Sequence, residues 1–503
     1  MKRTMSMMLA ISLAALMLGS CGGGAGADSS TSQGGTSITL NAADYETDAV
    51  FTTFADLPPN PNSAAQLQLY KDLGMNVCLL TEDNTSFTSQ GKITEGYKKA
   101  IENIGDAGMQ VWIRNMYNDP DYFQNTDAEK ERSNYGTPYT MEARNVTDEL
   151  SKMPQITGYY MGDEIYMESH LSVENYGKEY AAMDKFGKLI DWKNQYAPDA
   201  FWHMNHVPSQ SYDHWMSYTL NHDYTYKMFL EYYVENILSH VQGGSGRTVC
   251  LDNYPFGEVT DNDISASFLV DLLTGALVTR NYNQTAAETE KATFGMCVQT
   301  FKNTKSRTPL RYTKNAAEVS FQMFTGMALG ARLYEYFCFR SLPSIGIYGI
   351  IDEAGNPTDQ YDMLKEANEK VLPFAKVMFA FDWHNLVLSL ASDAASVENE
   401  NSFDGAKALL EEDPSSKGVG VLSKTVSQYD AIVGCFKKGE QDGYMVVNYA
   451  KPGLSKSNIV RVTFENCTQA LVYRNGVATT QKLFNGTLSL TLGAGDAAFV
   501  IPA

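Results

Sequence analysis

Two adjacent carboxylates, Asp163 and Glu164, end the apolar run that begins at Ile156, and they are the residues whose type and placing first suggest chemistry. An apolar run of this length, bounded by Pro154, reads as a buried strand whose last residues emerge at one rim. Other side chains able to bond or stack lie on or at the ends of further apolar runs: Trp112 and Arg114, Trp202 and Asn205, Asp252 and Tyr254, Gln299, and Glu335 with Tyr336. Hydroxyl groups need paired donors and acceptors, and the C–H faces of a pyranose stack on aromatic rings. Acids, amides and flat rings together therefore suit a polyhydroxylated ligand, an oligo- or polysaccharide.

These residues meet only if the runs that carry them are strands of one closed sheet. From residue 45 to 383 strand and helix signals alternate. Strands are expected over 49–55, 75–80, 109–113, 156–164, 201–206, 247–252, 294–301 and 331–339. Between them, Asn62 or Ser63 caps a helix closing at Gly74, and a second helix starts near Thr94 and stops at Gly108. Further helices are expected over 141–153, 172–196, 224–241 and 264–291, and Asn315 with Glu318 fits a capping box opening another that ends near Gly330. A closing helix spans 360–381. Eight strand–helix pairs predict an α/β chain folded as a (β/α)8 barrel. A doubly wound open sheet is the alternative, but no Gly-rich phosphate loop follows the first strand.

After Trp383 the pattern changes to short runs rich in Val, Ile and aromatics, with no strong helix beyond the 400s. Asn485-Gly486 sits between 481–484 and 487–492 as a hairpin signal. Residues 384–503 are thus expected to form a small antiparallel β-sandwich, without a catalytic cluster, that packs against the barrel or accessorises it.

At the other end, Lys2 and Arg3 precede the apolar stretch Met7 to Leu18 and then Leu18-Gly-Ser-Cys21. Residues 1–20 read as a secretory signal, too short to span a bilayer. The ending resembles the lipobox of bacterial lipoproteins, which makes Cys21 the expected lipidated anchor and places the mature chain outside the cytoplasm, tied to a membrane. The rest of 21–44, rich in Gly, Ser, Thr and Ala, is a flexible tether. With 39 Lys and Arg against 59 Asp and Glu, a net charge of −20 argues against nucleic acid as a partner. The cysteines show no metal-ligand spacing, and Cys78, Cys250, Cys297 and Cys338 fall in apolar runs where a thiol acts as a small hydrophobe. Cys435 and Cys467 are candidates to pair. His203 and His206, three apart on a strand, face opposite ways, so no shared metal site is expected, nor any cofactor.

Gly158-Tyr-Tyr-Met-Gly-Asp-Glu164, Met204-Asn-His-Val-Pro208, Leu251-Asp-Asn-Tyr-Pro-Phe256, Val298-Gln-Thr-Phe301 and Met327-Ala-Leu-Gly-Ala331 together resemble the barrels of bacterial clan A, β-galactosidase-like glycosidases. The segment from Leu490 to Val500 is similar to the closing strands of their C-terminal β domain. The resemblance implies that Glu164, at the end of the fourth strand, is the acid/base. Glycoside cleavage agrees with that role, since one carboxyl must be held protonated for the leaving oxygen while a second carboxylate faces it. Asp163 beside it would raise its pKa by charge repulsion, or stand as a structural partner if the pleat turns it away. Arg114 is expected to pair with one of these two acids.

One departure matters. Those glycosidases carry their nucleophile as a Glu at the end of strand seven, and the stretch 294–302 here has no carboxylate. Gln299 cannot form the glycosyl ester. The substitutes are Asp252, Glu335 and Glu318. Glu318 reads as a helix cap, Glu335 as readily a buried ion pair as a catalyst, and Asp252, at a strand end, is preferred. A carboxyl separation of about 5 Å would mean retention and about 6.5–9.5 Å inversion. Two functions follow from the sequence: a surface-anchored glycosidase, or a non-catalytic glycan-binding lipoprotein on a degenerate barrel.

Overall fold

A computed structural model describes residues 40–81, 86–88, 92–114, 147–164, 186–211 except 188, 225–257 except 244–245, 264–303 and 312–503 except 417. The signal, Cys21 and most of the tether, together with the first part of the helix expected over 141–153 and most of that over 172–196, lie outside the described residues.

Eight parallel strands form one sheet: β1 (Thr52–Ala55), β2 (Val77–Thr81), β3 (Gln110–Arg114), β4 (Ile156–Asp163), β5 (Phe201–His206), β6 (Arg247–Leu251), β7 (Ala292–Gln299) and β8 (Leu333–Phe337). Their order, β1-β8-β7-β6-β5-β4-β3-β2, is that of a barrel, with β1 and β2 as the remaining edges. Asn76 closes that seam. Its amide N–H donates to Thr53 O at 3.1 Å, while its side chain accepts from Thr53 N at 3.0 Å and donates to Phe51 O at 2.6 Å. The expected strands are all present, displaced by a residue or a few at their ends.

Helices α1 (Ala64–Asp72) and α2 (Glu95–Asp106) start where Ser63 and Thr94 accept hydrogen bonds from Gln66 N and Tyr97 N. On the far side lie α3 (Tyr226–Tyr232), α4 (Ala266–Thr285), α5 (Ala316–Ala328) and α6 (Asp359–Val371). The cap expected at α5 forms in a shifted version: Asn315 Oδ1 accepts from Glu318 N at 3.0 Å, and Glu318 Oε2 reaches one residue past the N-cap to accept from Lys314 N at 2.6 Å. Glu318 is therefore a structural cap.

Beyond α6 the chain builds a sandwich, with one helix where none was expected. β9 (Asp382–Ser389) is followed by α7 (Glu400–Glu412). α7 packs Phe403 and Ala406 inward and is tied to α4 by Arg280 Nη2 to Asp413 Oδ2 at 2.7 Å. Then come β10 (Leu422–Ser427), β11 (Ala431–Lys438), β12 (Gln441–Asn448), β13 (Asn458–Phe464), β14 (Gln469–Arg474), β15 (Val477–Lys482), β16 (Thr487–Leu492) and β17 (Ala497–Pro502). They divide into a six-stranded sheet, β9-β11-β12-β17-β14-β15, and a three-stranded sheet, β10-β13-β16. Asn485-Gly486 does make a tight turn, with φ of +50° and +73°. The expected hairpin closes there, Phe484 and Thr487 exchanging backbone bonds at 3.0 and 2.9 Å, but its pairing goes no further, because β15 joins the six-stranded sheet while β16 leaves for the other. Leu488, Leu490 and Leu492 can only be buried by that switch, since their partners Val460 and Val462 lie on β13. Cys435 and Cys467 stay unpaired; the first is buried in this core and the second half-exposed.

The central strands of the six-stranded sheet are buried on both faces, which explains why β12 and β17 read as unbroken apolar runs rather than alternating ones. One face, with Val433, Val446 and Val500, covers the small sheet; the other, with Met445, Phe499 and Ile501, joins the barrel core. Contact with the barrel is close at Gly434 on β11, where a β-carbon would sit inside van der Waals contact of Ala328 O in α5. Gly434→Ala is accordingly expected to cost about 2 kcal/mol through forced separation of sheet and helix. Urea denaturation would measure it, and an unchanged midpoint would mean that the interface yields freely.

Candidate active site at the barrel rim

Pleat parity decides which strand residues reach the barrel interior. Phe54, Trp112, Tyr160, Cys250 and Leu333, with Phe201 beside them, form a cluster apart from the main core and fill the inside of the barrel. Two positions further on from Phe54, Trp112 and Cys250 stand Asp56, Arg114 and Asp252, at the ends of β1, β3 and β6.

On β4 the parity is reset. The register of β4 against β5 slips between Tyr160 and Gly162, so that Tyr160 pairs with His203 and Asp163 with Asn205. This β-bulge puts Asp163 on the same face as Tyr160, although three residues separate them. Its carboxylate accepts from Asn205 Nδ2 at 3.1 Å. Arg114 Nη1 lies 4.0 Å from Asp163 Oδ2 and 4.0 Å from Asp56 Oδ2, with its guanidinium 5.0 Å from the centre of the Tyr160 ring. The expected pairing of Arg114 with an acid of β4 is thus found with Asp163, and Asp56 is a rim acid that the sequence reading did not include. Burial and the neighbouring Asp163 push the Asp56 carboxyl above the usual carboxylate range, with Arg114 pulling the other way.

Glu164 follows directly, half-buried, with its amide N–H donating to Asn205 O at 3.1 Å. Its φ is +44°, a left-handed backbone that a Glu adopts at a cost of about 1 kcal/mol or more. Leu57, next to Asp56, has φ of +52°. Two strand ends that carry rim acids therefore both turn through a conformation that favours glycine. Such strain persists only where surrounding contacts impose it, and it gathers at functional sites.

Asp252 is 7% exposed, its N–H donating to His206 O at 2.9 Å. Tyr254, half-buried just after it, meets Phe301 at 5.1 Å and Phe337 at 6.1 Å between ring centres, and its hydroxyl lies 3.5 Å from Cys297 Sγ. Phe301 and Phe337 extend the aromatic wall beyond what the sequence singled out. Beside the rim, a cleft of about 580 Å³ opens between the loop after β1 and α2, lined among others by Leu57, Pro58, Thr81, Tyr97 and Arg340. Its size is that of a small-ligand pocket.

Several residues expected to contact a ligand lie away from the open rim. Trp112 faces inward but lies a layer below the rim, 1% exposed and stacked at 4.6 Å on Phe201. Trp202 faces outward, fully buried against Tyr159 at 5.4 Å. Tyr336 also faces outward and donates to Asn368 Oδ1 of α6 at 2.9 Å. Gln299 spends its amide on the loop after β6, accepting from Phe256 N and donating to Phe256 O, both at 3.1 Å. All four are at most 1% exposed, so none is presented at the open rim.

Glu335 is inside the barrel rather than at its mouth. It accepts from the Tyr160 hydroxyl at 3.4 Å, and its other oxygen lies 3.2 Å from His203 Nε2. Burial, then the charges of Asp163, Asp56 and Asp252, drive its carboxyl well above the normal range, while burial and His206 lower His203 to about 3. Both shifts run towards the uncharged forms, so burial favours a neutral hydrogen bond here over an ion pair. His206 points the opposite way, edge-on to Phe229 and Tyr233, as expected from its spacing.

Asp163, Asn205, Arg114, Asp56, Asp252 and Tyr254 are thus brought to one rim, with Glu164 at its edge. No protein-family model matches the chain, and no curated protein matches it in sequence. Among solved structures it is similar to a β-galactosidase of glycoside hydrolase family 42 from G. stearothermophilus, with a TM-score of 0.51 and 9% identity over 91% of this chain and 99% of that one. A β-galactosidase from Bacillus circulans sp. alkalophilus is similar over 90% of this chain and 99% of that one, with a TM-score of 0.50 and 9% identity. At such identities the likeness is one of fold: a barrel with a following β domain.

Proposed function

We propose that the chain is a glycoside hydrolase that cleaves a glycosidic bond at the C-terminal rim of its barrel, with Glu164 as proton donor and Asp252 as the opposed carboxylate. The observation that carries this reading is the end of β4, where the bulge turns Asp163 to Asn205 and Arg114 while Glu164 is held in a left-handed backbone. A strand end so distorted serves a purpose beyond folding. Asn205 and Tyr254 supply an amide and a half-buried ring, the mixture that sugar hydroxyls and pyranose faces require. Asn205 Oδ1, buried and without a hydrogen-bond partner among the described residues, is an acceptor available to a substrate hydroxyl. The similarity in fold to two β-galactosidases supports the same class of substrate, an oligo- or polysaccharide. Cys21 would hold the enzyme on the outer side of a bacterial membrane by its lipid.

A second reading, glycan binding without turnover, is favoured by one observation: the end of β7 offers Gln299, and its amide is committed to Phe256. Hydrolysis of an aryl-glycoside panel separates the two. Asp252→Asn is expected to lower kcat/KM on the best substrate by about 100-fold or more, since the second carboxylate is required throughout. A wild-type chain that binds glycans but turns over none of the panel establishes the second reading; full activity in Asp252→Asn removes that residue from the mechanism.

A further inference from the structure

Below the rim, β5, β6 and β8 bring together an imidazole, a thiol and a carboxyl that are far apart in sequence. His203, Cys250 and Glu335 are 0%, 0% and 2% exposed, and one donor atom from each lies within 4.8 Å of the other two. His203 Nε2 and Glu335 Oε2 are 3.2 Å apart. Two ligands bound tetrahedrally at about 2.0–2.1 Å stand about 3.3 Å from each other.

The surroundings orient these groups as a metal site requires. His203 Nδ1 is 3.1 Å from Thr248 Oγ1, and that hydroxyl donates to Trp202 O at 3.3 Å. With its hydrogen so used, Thr248 accepts from Nδ1–H, and that tautomer would turn the Nε2 lone pair towards Glu335. A partner of this kind on the far nitrogen is what fixes a metal-binding histidine. Tyr160, on its other side, holds the Glu335 carboxyl at 3.4 Å.

We propose that His203, Cys250 and Glu335 form a buried site for a divalent transition-metal ion of the zinc type. Thiolate and carboxylate each bring one negative charge and the imidazole none, so a doubly positive ion makes the assembly neutral. That matters at this depth, where an isolated charge is costly. On binding, the Cys250 and Glu335 protons leave for solvent, two for each ion. A sulfur, an imidazole nitrogen and one carboxylate oxygen select zinc over magnesium or calcium, which prefer oxygen shells. Asp56, Asp163 and Asp252 add negative potential from above. Enclosed within the barrel, the ion would brace β5, β6 and β8 rather than touch substrate, so the proposal stands independently of any glycosidase activity.

The test uses the full chain, unfolded in guanidinium with reductant and refolded with cobalt(II) or zinc(II) before desalting. About one equivalent of metal is expected to remain, and the cobalt form should show a thiolate-to-metal band in the near ultraviolet. Cys250→Ser should lose the band and at least about tenfold in retained metal, whereas Cys297→Ser, whose thiol meets Tyr254 instead, keeps both. Less than about a tenth of an equivalent in refolded wild type overturns the proposal. So does a band that survives in Cys250→Ser. If that variant does not refold, the near-isosteric Glu335→Gln takes its place, with the same loss of retained metal expected and undiminished retention counting against the site.

Discussion

Glu164→Gln is expected to lower aryl-glycoside turnover by about 1000-fold, the range for removing a general acid, while leaving the unfolding midpoint within the scatter of the wild type. The amide keeps the shape and the backbone bond from Glu164 N to Asn205 O but carries no transferable proton. Loss should be greatest on substrates with poor leaving groups, because a good aryl leaving group needs little protonation. Glu164→Gly separates chemistry from folding more sharply. At φ of +44° a glycine relieves strain, so this variant should be as inactive as the glutamine one yet up to about 1 kcal/mol more stable in urea denaturation. A glycine variant that is both less active and clearly less stable would mean that the carboxylate is a structural tie.

Which side chains would face that rim was legible only in part, and the limit is pleat parity. The order of strands follows from alternating apolar runs and caps such as Ser63, Thr94 and Asn315, whose signals are local and strong. Within each strand, however, types alone do not tell inside from outside. On β5, once Asn205 is placed inward, Trp202 must point outward and His203 inward, which removes one expected ligand and adds a buried one. The same step on β8 sends Tyr336 to α6 and Glu335 into the barrel. On β4 parity itself misleads, since the bulge after Tyr160 leaves no mark in composition except Gly162. Asp56 was missed for a plainer reason: the strand signal stops at Ala55, and the following Leu57-Pro58-Pro59 reads as loop.

The β domain shows the complementary case. The unbroken apolar runs of β12 and β17 conceal that two faces are buried, a property of neighbours and not of the strand. In α7 the i, i+3, i+7 spacing of Phe403, Ala406 and Leu410 is a helical signal that regular strand spacing around it outweighs. Cys250 read as a core hydrophobe, and it is one; its nearness to His203 and Glu335 depends on three strands closing into a barrel, which no spacing along the chain encodes.

Arg114→Met should reduce turnover by about 100-fold and destabilise the fold by about 2 kcal/mol at pH 7, below the roughly 3–5 kcal/mol of a fully buried pair because the side chain is 27% exposed. Without the guanidinium, Asp163 and Asp56 face each other across the rim with no cation at 4.0 Å from both. The Asp56 carboxyl, already raised by burial, then rises further above its unfolded value. The sign follows from proton uptake: between the unfolded and folded pKa the native state holds a proton that the unfolded chain has released, so stability falls as pH rises through that window. The deficit in Arg114→Met should therefore shrink as pH is lowered from 7 towards 5, and urea denaturation at both pH values measures it. Asp56→Asn in the same chain should restore most of the stability at pH 7, having removed the charge that Arg114 offset, without restoring turnover if Arg114 also holds Asp163 in place. A deficit equal at both pH values would show that packing on the Tyr160 ring, not compensation of Asp56, is what the arginine provides.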